Sequence, residues 1–332
     1  MKYNLDYDFH TEVSVTKSKT KGVADEEFDI RSIINAYKVE NGKETRELVE
    51  SFVITESMEQ FYDRTVELNL KPGYYQLLIW SDYVTKGSGN DRFFDTSDFT
   101  EIKIANSPEA HPGNEEHREA FRGIVNIRVD NSDQAEQDEV NMERPLGKFT
   151  FIATDLDLFI YHVEELATKR AKSKGDAAAT IKEATDDTVT KVDDGGTKTP
   201  DYSNETKTVN PDDYKVIIRY GGFMPSSFNM FTNKPNNSVV GASFEGKMKI
   251  ISDTEAELGF DHIFVNGSES KVNVSLEVYD LEGNIVSNIE SVEVPVVRSK
   301  HTIVRGSILT SLATGGVGIS PGFAGDFNLE IK

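Results

Sequence analysis

FTFIATDLDLF, residues 149–159, is an apolar β-like run that ends in Asp-x-Asp, and its reading decides the fold. In a parallel α/β protein, a strand ending this way presents Asp155 as a nucleophile and Asp157 as a general acid. In an antiparallel β protein the same residues are a strand running into a capped helix. Beyond Asp155 the apolar positions are Leu156, Phe159, Ile160, Val163, Leu166 and Ala167. Spacings of three and four mark an amphipathic helix, predicted over 155–171. Thr154 takes the N-cap position, and Asp157 three residues on matches a capping-box acid. Lys169, Arg170, Lys172 and Lys174 gather at the other end, where cations suit the helix dipole, and Gly175 stops the helix. On this reading both aspartates are structural, and Asp155→Asn costs at most about 1 kcal/mol.

The competing motif is that of magnesium-dependent phosphatases of the haloacid dehalogenase type. Those continue past the second Asp with a small residue and a Thr, whereas Leu158 and Phe159 follow here. They also need a parallel sheet with helical crossovers. The phosphatase is therefore the distant alternative; no catalytic residue is assigned and the chain is read as a non-enzyme.

Outward from this stretch, strand patterns dominate. Tyr3, Leu5, Tyr7, Phe9, Val13 and Val15 alternate with mostly polar residues. The same period of two recurs in TVELNL (65–70), YYQLLIW (74–80), GIVNIRV (123–129), KVIIRY (215–220), KVNVSLEV (271–278), VEVPVV (292–297) and DFNLEI (326–331). Pro72-Gly73 suits a type II turn, and Glu282-Gly283-Asn284 closes a hairpin. Short strands and tight turns without regularly spaced helices predict a mainly all-β chain of antiparallel sandwiches. DNSDQAEQDEVN (130–141) reads as a linker, which separates an N-terminal domain, 1–135, from a C-terminal domain, 142–332. Residues 176–210, rich in Asp, Thr, Lys and Gly, read as a mobile insertion in the second domain.

The chain has 332 residues, 36 basic against 57 acidic, for a net charge of −21. So negative a surface repels phosphate backbones and anionic lipid, which sets aside nucleic acid and bare membrane as partners. No run approaches the about 18 apolar residues of a membrane helix. With no cysteine, disulfides, thiol catalysis and Cys-based metal sites are excluded. The opening MKYNLDYDFH has neither a basic n-region nor an apolar h-region and does not read as a signal peptide. The chain is then either cytoplasmic or secreted with its leader removed.

No cofactor or metal site is expected. The six histidines show no close ligand spacing, and His111 and His117 fall in HPGNEEHRE, an acidic stretch read as a solvated loop. The stretch 130–141 lacks the central Gly and final Glu of a calcium loop. Asp187-Thr188-Val189 matches a short bacterial O-glycosylation pattern. Trp80, Tyr83, Phe93 and Phe94 flank the turn KGSGND (86–91). Exposed, they would stack on sugar rings as a glycan-contact surface; buried, Trp80 would close the core of the first sandwich. Phe327, Leu329 and Ile331 share one face of a terminal strand whose backbone must pair with something, and they are the candidate strand-exchange residues.

Four segments resemble one known family. MERPLGKFTF (142–151), YGGFMPSSFNMFTNKP (220–235), VEVPVVRSKHTIVRGSILT (292–310) and LKPGYYQLLIWSDYV (70–84) are similar, in order, to motifs of fimbrillin-associated anchor proteins and minor pilins. These are outer-membrane lipoproteins of anaerobic Gram-negative gut and oral bacteria. The resemblance implies two tandem transthyretin-like sandwiches and a fimbrial anchor or minor subunit assembled by strand exchange. It also implies pilin partners, a cell-surface location and membrane attachment only through a lipidated N-terminal Cys that this chain does not contain. A surface glycan-binding lipoprotein of the same fold, with host or bacterial glycans as partners, is the alternative. The 176–210 insertion departs from the compact family pattern and leaves anchor, tip subunit and stand-alone lipoprotein open.

Overall fold

The computed structural model describes residues 2–7, 27–57, 63–105, 111–130, 137–163, 210–311 and 330–331. Most of the insertion, the second half of the expected helix, Asp187 to Val189, Phe327 and Leu329 lie outside them. The described chain is mainly β and forms five sheets, as the alternating periods require.

The first half is built around a four-stranded antiparallel sheet in the order β3 (Lys43–Ser57), β2 (Phe28–Glu40), β5 (Gly73–Thr85), β8 (Ala120–Val129). Strands β2 and β5 are buried along most of their length, so this sheet is covered on both faces. On one face Trp80 meets Phe94 edge-on at 5.3 Å and Phe228 at 6.5 Å. On the other, Gly123 faces Val140 and Met142; a Cβ there would lie 2.5 Å from the Met142 sulfur. That second cover belongs to a three-stranded sheet, β4 (Asp63–Glu67), β1 (Lys2–Tyr7), β9 (Gln137–Met142). The expected linker thus ends in a strand. Its alternating apolar pair, Val140 and Met142, is buried and so outweighs the polar residues before it.

The second half pairs a five-stranded sheet, β15 (Lys249–Ile250), β16 (Ala256–Phe264), β10 (Leu146–Ala153), β19 (His301–Gly306), β20 (Glu330–Ile331), with a four-stranded one. The latter runs β14 (Ser243–Gly246), β11 (Lys215–Tyr220), β17 (Glu269–Tyr279), β18 (Ile285–Val297). Their inner faces form one apolar core that includes Phe149, Phe151, Ile218, Leu276 and Val294. Two pairings, β1 with β9 and β10 with β19, are parallel, against the purely antiparallel expectation. Both join segments far apart in sequence, whose connections are long enough to permit it.

The remaining sheet crosses between halves. Its order is β13 (Lys234–Val240), β12 (Phe223–Asn229), β7 (Ile102–Ile104), β6 (Phe94–Asp95), with Ser227 opposite Lys103 and Phe228 opposite Ile102. Phe228, Met230 and Phe264 sit in the same core cluster as Trp80 and Phe94. A hairpin from beyond residue 142 therefore completes the sandwich of the first half.

The turns follow their chemistry in one case and depart from it in another. Gly283 has φ 81°, and the Asp280 carboxylate accepts from the Asn284 amide at 2.8 Å, which closes the β17–β18 hairpin. Gly73 is not left-handed, so Pro72-Gly73 is no type II turn. The Tyr75 ring lies over Gly73 instead, and its hydroxyl donates to the Lys71 carbonyl at 2.9 Å.

Candidate functional site

The opening motif resolves into a latch. The helix, described over 156–163 and labelled α1, buries Leu156 and Phe159 and half-buries Ile160 and Val163, as its spacing demands. Its N-cap is Asp155, whose carbonyl accepts the first intrahelical bond from Phe159 N, and not Thr154. The Asp155 carboxylate turns away from the helix. Oδ1 accepts from the amides of Ile308 and Leu309, each at 3.1 Å; Oδ2 accepts from Thr310 N at 2.8 Å and Thr310 Oγ1 at 2.7 Å. With 2% of the residue exposed and both oxygens engaged, it fastens the turn after β19 to the start of α1. Asp157 is exposed. The pair is not arranged as nucleophile and acid.

The acidic stretch 111–119 is likewise no solvated loop. It is a strap from the first half lying across the second. Asn114 N donates to the Phe260 carbonyl, and Phe260 N donates back to Asn114 Oδ1. Gly113 lets the strap lie flat, since a Cβ there would fall 2.1 Å from the Phe244 ring. At the centre is the buried Asp261 carboxylate. It accepts from His111 Nε2 at 2.6 Å, from the Tyr220 hydroxyl, from the His262 amide at 2.8 Å, and is paired with Arg118. Arg118 is fully buried, and burial pushes its pKa down to about 10 against the opposing pull of Tyr220 and Glu115. His117 stacks on Phe28 with ring centroids 4.3 Å apart.

His111 is neutral: burial, with Arg118 nearby, pushes its pKa down to about 2. A neutral imidazole still donates from Nε2, which fits the bond to Asp261. Because the folded pKa lies below the unfolded value of about 6.5, only the unfolded state takes up this proton as pH falls between them. Stability from His111 is therefore complete above pH 6.5 and lost below it. We expect His111→Gln to flatten the pH dependence of unfolding free energy by about 1.4 kcal/mol per pH unit between pH 6 and 4. Parallel curves for the two proteins would contradict the neutral buried histidine.

The motif residues named in the sequence converge on this junction. Asn229 Oδ1 accepts from Phe231 N and Thr232 N, and its amide donates to the Thr100 carbonyl at 2.8 Å. Arg122, from β8, donates twice to the Met230 carbonyl at 3.0 and 2.8 Å. Arg298, after β18, donates to Asn233 Oδ1 and to the Val265 carbonyl, each at 2.7 Å. Arg144 pairs with Glu119 at 3.2 Å and covers the Phe121 ring. These groups clamp the crossing hairpin from both halves.

Trp80, Tyr83, Phe93 and Phe94 are 0, 7, 3 and 0% exposed. None offers a ring face to a sugar, so the expected glycan-contact surface is corrected to core: an apolar strand end buries its aromatics. Of the strand-exchange candidates, Ile331 lies in β20, opposite Thr302 on β19. Strand β19 runs parallel to β10 over all six residues and antiparallel to β20 at Thr302 and Ile303. Sequence reasoning missed Arg118, Tyr220 and Asp261. Their one signal was Asp261-His262 placed inside the apolar run GFDHIFV, where a polar pair must find partners. Among the described residues no three His, Asp or Glu side chains are grouped to hold a metal, and no helix is long and apolar enough to cross a membrane.

Across residues 1–332 the sequence matches the model of a family described as a family of unknown function, DUF6562. No curated protein matches it. Among solved structures it is similar to a candidate polysaccharide-binding protein (DUF1812) from Bacteroides thetaiotaomicron, at 13% identity and TM-score 0.44, covering 92% of each chain. It is similar to the fimbrial anchor protein Mfa2 from Porphyromonas gingivalis, at 11% identity and TM-score 0.41, covering 92% of this chain and 89% of that one. A candidate adhesin from Bacteroides ovatus is similar at 10% identity and TM-score 0.42, over 87% of this chain and 76% of that one.

Proposed function

This chain belongs to the family of unknown function DUF6562, and we propose that it is a non-enzymatic subunit of a cell-surface fibre, an anchor or minor subunit, which joins its neighbours by strand addition. The observation that carries the reading is the edge of the five-stranded sheet. Its outermost strand there is β20, which lies antiparallel to β19 at Thr302 and Ile303. Such an edge is a template for an incoming strand, with main-chain bonds giving affinity and alternate side chains giving specificity. The motif resemblance to fimbrial anchors supports the same reading, with pilin-type subunits as partners and the outer-membrane surface, reached through an N-terminal lipid, as the place. We divide the chain at residues 136–141 into two sandwiches that share the hairpin β12–β13. The glycan reading has lost its aromatic residues to the core, and the phosphatase reading has lost Asp155 to the latch.

Removal of residues 326–332 tests it. The truncated chain is expected to keep its folded circular dichroism, to bind a synthetic DFNLEIK peptide in trans and to be missing from purified surface fibres. A truncated chain that unfolds in its second half, or enters fibres as the whole chain does, would sink the strand-addition role.

A further inference from the structure

Next to Asp261 the outer face of the five-stranded sheet opens into a cleft of about 210 Å³ between the halves. Its floor is one row across three strands: Lys148 on β10 lies opposite His262 on β16 and His301 on β19. Glu116 and Glu119 of the strap line it together with Arg144, Ser299 and Lys300. On a chain of net charge −21, this cleft holds three cations, Arg144, Lys148 and Lys300, against two carboxylates.

Two details point to a ligand. His262 lines the cleft at 3% exposure, yet neither ring nitrogen has a hydrogen-bond partner; Glu119 Oε1, at 3.7 Å, is too far. A buried polar group left unmatched is costly, and an incoming hydroxyl would relieve it. Burial keeps the ring neutral against the pull of Glu119, so it offers one donor and one acceptor. Glu116, with 61% of its side chain exposed, sets both carboxylate oxygens 2.8 Å from Lys148 Nζ. An exposed carboxylate of the chain itself thus holds the cation that an external carboxylate would seek. A cleft of this volume has room for one sugar ring.

We propose that the cleft binds a carboxylate-bearing monosaccharide. The ligand's carboxylate replaces Glu116 at Lys148, with Lys300 beside it. Its ring hydroxyls pair with His262, Ser299 and Glu119. This binding is separate from strand addition and does not depend on it.

Calorimetric titration of the whole chain at pH 7 with D-glucuronate, acetate and D-glucose tests the proposal. Glucuronate is expected to bind at least tenfold more tightly than acetate, with no heat from glucose. Glu116→Gln, at an exposed position, is expected to tighten glucuronate binding several-fold by removing the internal competitor. Lys148→Gln is expected to abolish it while the folded circular dichroism is retained. Equal affinity for acetate and glucuronate would overturn the sugar-acid assignment. No binding to Glu116→Gln, or undiminished binding to Lys148→Gln, would overturn the site.

Discussion

Asp155→Ala is expected to lower the unfolding free energy by about 3–5 kcal/mol, as removal of one acceptor that serves four donors does. The loss is far greater than a weakened helix terminus would give. The buried amides of Ile308 and Leu309 and the half-buried amide and hydroxyl of Thr310 all donate to this carboxylate. Without it they face no acceptor, and each unsatisfied buried donor costs about 1–3 kcal/mol before relaxation. Asp155→Asn should also fall well beyond the about 1 kcal/mol expected of a dipole effect alone. Each oxygen receives two donors, so an amide nitrogen at either position sets donor against donor. Asp157→Asn, on the exposed side of the helix, should leave stability unchanged. Chemical denaturation followed by circular dichroism separates the cases. Equal small losses for Asp155→Asn and Asp157→Asn would mean that the latch is not formed.

Leu276→Ala, in the core of the second sandwich, is expected to cost about 2–5 kcal/mol and to move the unfolding of the first sandwich with it. Trp80 is the only tryptophan and lies fully buried in the first core, so its fluorescence reports that half alone. Two sandwiches joined by a linker would leave the Trp80 transition in place. Here Phe228, on the crossing hairpin, touches both Trp80 and Phe264, with Phe264 at 5.4 Å. The hairpin is held by Arg122 from one side and Arg298 from the other. Coincident fluorescence and circular dichroism transitions, both shifted by the substitution, are the expected result. An unmoved Trp80 transition would show that the halves unfold independently.

What the sequence revealed and what it hid have separate physical origins. Period-two alternation reports which face of a strand is buried, so β11, β17 and β18 were legible from their own residues. The helix after Asp155 was legible for the same reason at period 3.6. The sheet that a strand joins depends on partners more than a hundred residues away, as when Ser227 meets Lys103. YGGFMPSSFNMFTNKP therefore reads as a hairpin without saying which sandwich it completes. An aspartate before a helix looks alike as cap, nucleophile or latch, because its carboxylate direction is fixed by tertiary contacts. HPGNEEHRE looks solvated because its charges are visible locally while Asp261, Phe244 and Phe260 are not. Trp80 was ambiguous until burial placed it.

The central claim, that the β19 edge accepts a strand, is tested most directly by amide hydrogen exchange of the whole chain, alone and assembled into its fibre. A backbone amide is protected when it is hydrogen-bonded in a sheet and exchanges through local opening when it is not. If β20 is the strand that is exchanged, the amides of residues 330–331 exchange in the free chain and slow at least tenfold on assembly, while the amides of β10 and β16 stay protected throughout. Unchanged exchange over 330–331, with new protection on some other strand, would contradict it.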